Sequence, residues 1–117
     1  MKLSKKLTSK IEKSGFTIFT ADENILEFQK YSGAGQDFSF CIDTEGNLDS
    51  FRENILAYYC DFDVSYEASL WLDEDGHGKN GAPYDMKDVY EDMEECQGFI
   101  MELYNIVDRY INSIRRV

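Results

Sequence analysis

The most constraining feature of the sequence is a helical pattern of apolar residues that runs for about 29 residues near the C-terminal end. Its members are Met86, Val89, Tyr90, Met93, Ile100, Leu103, Val107, Tyr110, Ile111 and Ile114. Asp85 stands where an N-cap is expected. A helix of this length spans ~43 Å, which is longer than a small domain needs. We therefore expect either a bend at Gly98 or a projecting C-terminal half.

Three earlier runs have the alternating or β-branched pattern of strands, at 16–20, 25–31 and 38–42. A polar turn separates the first two, and the glycine loop 32–36 separates the second from the third. Short strands joined in this way predict an antiparallel meander.

Two helices and a fourth strand complete the prediction. Residues 1–14 form a basic amphipathic helix with Leu3, Leu7 and Ile11 on one face. Asn47 caps a second helix through Tyr59, and 64–72 alternates as a fourth strand. We expect one α+β domain over 1–117, with a mostly antiparallel four-stranded sheet in the order α-β-β-β-α-β-α. The β-α-β crossover leaves the strand order open.

The charge of the chain is large, negative and uneven. Net charge is −11, yet residues 1–20 carry five lysines and one glutamate, while 21–117 carry seven bases and 22 acids. A nucleic-acid-binding domain needs a basic face that displaces counterions from phosphates. The acidic body therefore argues against direct nucleic-acid binding.

The acids are densest at the start of the long helix, where Lys87 alone offsets six of them. They are Asp85, Asp88, Glu91, Asp92, Glu94 and Glu95. We expect this surface to bind a protein partner. A second hypothesis is that it imitates a phosphate backbone and occupies the basic DNA- or RNA-binding groove of a partner. The plainest alternative is a solvated acidic face that keeps the protein soluble.

The loop 73–84 contains the only histidine and the only proline. It matches G-x-G-x-x-G, but no second parallel strand follows the helix, so a dinucleotide site is rejected. It also resembles the start of a calcium loop, but Tyr84 stands where the bidentate Glu belongs. We predict no metal, no cofactor and no catalytic residue. A small enzyme or ligand-binding domain that uses this loop, with His77 as its base, is the third hypothesis.

The cysteines argue against a disulfide framework. The chain has an odd number of cysteines, and they form no CxxC motif: Cys41, Cys60 and Cys96. We expect reduced, mostly buried thiols.

Aromatic residues strengthen the case for a binding module, because they are common interface anchors. Trp71 is predicted on the sheet face opposite Leu70 and Leu72, either exposed or buried under helices that cover both faces, and Tyr84 is expected near the acidic region. We assign partner binding to Trp71, Asp73, Glu74, Asp75, His77, Tyr84, Asp88, Glu91, Asp92, Glu94 and Glu95.

Two stretches carry a resemblance to a known group of proteins. They are 35–40 (Gly-Gln-Asp-Phe-Ser-Phe) and 71–84, from Trp71-Leu72-Asp73 to Gly81-Ala82-Pro83-Tyr84. Over about 35–105 the chain resembles small acidic hypothetical proteins of bacteria and their mobile elements. The resemblance implies a bacterial accessory protein, of the kind that could include anti-defence inhibitors, and transfers no catalytic residue. With neither a signal peptide nor an apolar span in the sequence, we expect a cytoplasmic protein without a membrane partner.

Overall fold

The sheet of this α+β protein has three antiparallel strands in the order β1-β2-β3. The computed structural model describes residues 1–116. The strands are β1 Thr17–Thr20, β2 Ile25–Tyr31 and β3 Asp37–Asp43. Phe28 pairs with Ile18 on one side and with Phe40 on the other. This register places the apolar residues on one face, so the predicted meander is confirmed.

Four helices surround the inner face of the sheet, and three of them begin with side-chain caps. They are α1 Lys5–Lys13, α2 Leu48–Asp61, α3 Val64–Ser69 and α4 Met86–Ile114. Ser4 accepts a hydrogen bond from the backbone N–H of Leu7, and Asn47 accepts one from Ser50. Such caps satisfy backbone donors that have no partner inside the helix.

The predicted fourth strand over 64–72 is wrong, because α3 occupies most of this segment. Asp63 accepts a hydrogen bond from the backbone N–H of Tyr66 and thereby starts a helix. In a strand, Tyr66, Ala68 and Leu70 would share one buried face. In the helix Ala68 is buried, while Tyr66 and Leu70 remain exposed. The element order of residues 1–116 is thus α-β-β-β-α-α-α.

Helix α4 supplies nine of the twenty buried hydrophobic residues within 1–116. It runs without interruption through Gly98 for 29 residues, and the molecule is correspondingly long, at 56 × 23 × 23 Å. Ile100, Leu103 and Val107 have no exposed surface. The N-terminal helix is docked, since Leu7 is fully buried and α1 contacts α4.

Two of the three cysteines do not have the predicted burial. Cys96 is buried in α4, but Cys41 and Cys60 are exposed. Cys41 pairs with Glu27 on the side of the sheet away from Phe28 and Phe40. Alternation along β3 therefore directs its thiol outward.

Candidate protein-interaction surface

Acidic residues in the second half of α4 are neutralised within the fold. Glu102 forms an ion pair with Lys30, with Oε1 and Nζ 3.0 Å apart, and Asp108 forms one with Arg52, with Oδ1 and Nη1 3.0 Å apart. Both bases come from elements packed against α4, namely β2 and α2. These two acids are half-buried, and their charges are compensated by bases of the same fold.

Acidic residues in the first half of α4 lack such partners. Asp88, Glu94 and Glu95 form no ion pair with any residue of 1–116, and all three are exposed. Glu91 reaches only the exposed Lys87 on the same helix, at 3.7 Å. Exposed pairs of this kind contribute little, about 0.5 kcal/mol or less. The first half of α4 consequently presents negative charge to solvent.

A cleft of about 480 Å³ lies beside this half of α4. One wall is the helix, and the others are the 32–36 turn and the segment before α4. The lining residues are Ala34, Gly81, Ala82, Pro83, Asp88, Glu91, Asp92 and Glu95. Four of these eight are acids and none is basic.

Hydrogen bonds between distant parts of the chain shape the cleft. The backbone N–H of Gly33 donates to Oε1 of Glu95 at 2.8 Å. The side-chain amide of Gln36 donates to the carbonyl oxygen of Gly81 at 2.6 Å. The turn is itself closed, because Ser32 N–H donates to the carbonyl oxygen of Gln36. The cleft is thus formed by the fold and does not depend on side-chain rotamers alone.

Asp92 is the unusual member of this surface, since it is only 5% exposed. Its Oδ1 is buried and has no hydrogen-bond partner among residues 1–116. Burial raises the pKa of Asp92, hydrogen bonding from the Ser32 hydroxyl partly opposes this rise, and the charge of Glu95 adds to it. A buried carboxylate oxygen without a partner is costly.

The 73–84 loop is shaped by its own hydrogen bonds. Asp73 Oδ1 accepts from the backbone N–H groups of Asp75 and His77, at 2.9 and 3.0 Å. The bond from His77 is the main cause of the lowered pKa of Asp73. Gly78 N–H donates to the carbonyl oxygen of Tyr84 at 2.9 Å. These bonds hold the loop in one shape and fix the entry of the chain into α4.

His77 stacks on Tyr84, with ring centroids 4.1 Å apart and planes 13° apart. Tyr84 is 67% exposed. The pair offers a flat aromatic surface at the base of α4.

The predicted site residues therefore fall into separate groups. Four acids line the cleft: Asp88, Glu91, Asp92 and Glu95. Glu94 is exposed on the same helix but lies outside the cleft, and Asp73, Glu74 and Asp75 are exposed in the loop. His77 and Tyr84 form the aromatic pair.

The predicted position of Trp71 on a sheet face is wrong, because the segment before it is helical and not a strand of the sheet; its assignment to partner binding stays a prediction. Trp71 is half-buried and lines a cavity of about 220 Å³ together with Met93 and Cys96.

Sequence reasoning missed the walls of the cleft and the burial of Asp92. The contacts of Gly33 and Gln36 join residues 62 and 45 positions apart, and no local pattern reports such contacts. A signal for Asp92 did exist. It lies three residues after Val89 and four before Cys96, both buried, and therefore on the apolar stripe of the helix.

Two features of the side chains bear on metal binding and on thiol chemistry. Within residues 1–116, no three His, Cys, Asp or Glu side chains converge to hold one metal ion. Burial raises the pKa of Cys96 to about 12, so its thiol is protonated and a poor nucleophile.

Comparison with protein-family models, with curated proteins and with solved structures finds no match for this chain. The resemblance to small acidic bacterial proteins stays a prediction. No helix within the described part of the chain is both long enough and apolar enough to cross a membrane.

Proposed function

We propose that this protein is an interaction module that binds a basic surface of a protein partner through the first half of α4. The observation that carries the proposal is the contrast between the halves of this helix. Acids of the second half are paired with bases from other elements of the fold, whereas among the exposed acids of the first half only Glu91 has an ion-pair partner within residues 1–116, the exposed Lys87 of the same helix. A basic partner supplies the missing counter-charge.

The composition of the surface supports this function. Residues 85–95 contain six acids and one lysine, and the exposed Tyr84 immediately precedes them in the sequence. Charge gives a contact its orientation and its rate of association, while aromatic anchors contribute most to its stability. The surface combines both features.

The proposal is tested with a partner captured from bacterial cells and then purified. Asp88, Glu91 and Glu94 are each replaced by Lys in one variant. The matched control carries Glu12→Lys, Glu53→Lys and Asp61→Lys, three exposed acids on α1 and α2. Both variants change net charge equally, so a difference between them reports the location of the contact.

We expect the α4 variant to weaken binding at least about tenfold at low salt and the control to change it little. Binding by the unmodified protein should also weaken as salt rises. Equal effects of the two variants would refute the proposed surface. Duplex DNA or RNA is added as a competitor, and displacement of the protein by nucleic acid would favour the nucleic-acid mimic over an ordinary interaction module.

A further inference from the structure

The cleft beside α4 is open to solvent, and four of its eight lining residues are acids. We propose that it receives one arginine side chain of the partner, with the guanidinium held by Asp92 and the surrounding carboxylates. This inference rests on the proposed function and names the group that is recognised.

Asp92 provides the first step. Its side chain lines the cleft, its Oδ1 has no hydrogen-bond partner among the described residues, and 95% of the residue is buried. An exposed carboxylate would be satisfied by water. A buried carboxylate lacks that water, and a charged donor offsets its cost of desolvation only where the geometry is good and its other lone pairs are also satisfied.

The size of the cleft and the spacing of its acids favour an organic cation over a metal ion. The volume of about 480 Å³ exceeds what a bare ion fills. The acids also do not converge on one point, since no three of them are placed to share a metal. A guanidinium is wide and planar and carries five N–H donors, so it can contact carboxylates that lie apart.

An arginine side chain fits the cleft better than a lysine side chain. An ammonium is a compact and strongly hydrated point charge, whereas a guanidinium is weakly hydrated and binds carboxylates with two parallel hydrogen bonds. Ala34, Ala82 and Pro83 add apolar surface to the cleft. The methylene groups of an arginine pack on such surface while its head reaches the acids.

The test uses ethylguanidinium as a probe for the arginine head group and needs no partner. Binding to the isotope-labelled protein is followed by NMR at the amides of Gly33, whose N–H donates to Glu95, and of Gly81. We expect saturable shifts with a dissociation constant in the millimolar range, about 1–10 mM, as suits a fragment of few atoms. Ethylammonium should bind several-fold more weakly, and Ca²⁺ and Mg²⁺ should cause no saturable shift at these amides.

Asp92→Asn removes the charge and keeps the shape of the side chain. We expect it to weaken ethylguanidinium binding about tenfold or more without lowering the melting temperature, since it removes a desolvated charge. Glu53→Gln is the matched control, because Glu53 is an exposed acid of α2 that does not line the cleft. If Asp92→Asn fails to fold, Asp88→Asn combined with Glu91→Gln serves in its place.

Three results would overturn the inference: no saturable shift with ethylguanidinium, equal binding by wild-type protein and the cleft variant, or preferential binding of a metal ion. The proposed function can fail separately. If ethylguanidinium does not bind but charge reversal on α4 still weakens partner binding, the interaction surface stands and the arginine inference falls. If ethylguanidinium binds but charge reversal leaves the partner unaffected, the cleft binds cations without serving that partner.

Discussion

Gly78 allows a sharp test of how the 73–84 loop is built. A Cβ atom on this residue would overlap the backbone carbonyl oxygen of Pro83 and lie 2.8 Å from its carbonyl carbon. Backbone atoms cannot move aside as a flexible side chain does, so Gly78→Ala must displace the segment that enters α4. The hydrogen bond from Gly78 N–H to the Tyr84 carbonyl, 2.9 Å long, would be lost or distorted.

The loss of stability expected for Gly78→Ala combines the steric overlap with the lost hydrogen bond. Overpacking typically costs about 1–3 kcal/mol, and a lost hydrogen bond about 1 kcal/mol. We therefore expect Gly78→Ala to lower the free energy of unfolding by roughly 2–4 kcal/mol. Gly98 is the matched control, since it is exposed within α4 and a Cβ there would meet no atom within 4 Å. Gly98→Ala should raise stability by about 0.5–1 kcal/mol through helix propensity.

Urea unfolding measures both variants, followed by circular dichroism and by the fluorescence of Trp71. This single tryptophan is well placed, because its carbonyl oxygen accepts the N–H of Lys79 in the same loop. A loss below about 0.5 kcal/mol for Gly78→Ala would refute the tight contact with Pro83. A loss of stability for Gly98→Ala would show that α4 is not a regular helix at that point.

Two further predictions concern ion pairs. Nζ of Lys30 lies 3.0 Å from both carboxylate oxygens of Glu102 and 2.7 Å from the carbonyl oxygen of Ser14. Lys30→Met should therefore lower the free energy of unfolding by about 1–3 kcal/mol. A change near zero in urea unfolding would contradict a structural role for Lys30. A hydrogen bond from Arg115 is the main cause of the lowered pKa of Asp49. Because the folded pKa lies below the unfolded one, this pair stabilises the protein above the unfolded pKa of about 4 and loses its effect as pH falls through the folded value. Arg115→Gln should therefore lower the urea midpoint near pH 7 and approach wild type in strong acid, and a constant difference across pH would contradict the assignment.

Local patterns were sufficient for most of the fold. Alternation along β3 and the cap at Asn47 predicted their elements correctly, because both signals arise from neighbouring residues. The strand predicted over 64–72 is wrong because the alternating pattern of this segment also fits a short helix. Asp63 indicates the helix, since an aspartate directly before a helix-compatible run favours an N-cap.

The candidate site was predictable only in part. Its acids and the 73–84 loop stand out in the sequence, because charge and glycine content are local properties. The cleft is not local, since it depends on the bond between Gln36 and Gly81. The partnerless oxygen of Asp92 likewise follows from three-dimensional packing, although the helical period already places its side chain on the buried stripe.

The position of α4 after all other elements has a consequence for synthesis. Its nine buried hydrophobic residues complete a core that Phe28 and Phe40 of the sheet begin. Helices α1 and α2 already contact the sheet, but the apolar surface that α4 covers stays exposed until α4 is made. At about 5–20 residues per second, a ribosome needs roughly 2–6 s to add a segment as long as α4. During that interval the nascent chain exposes an apolar sheet face, and a chaperone that covers this face would decide how much of the protein escapes aggregation.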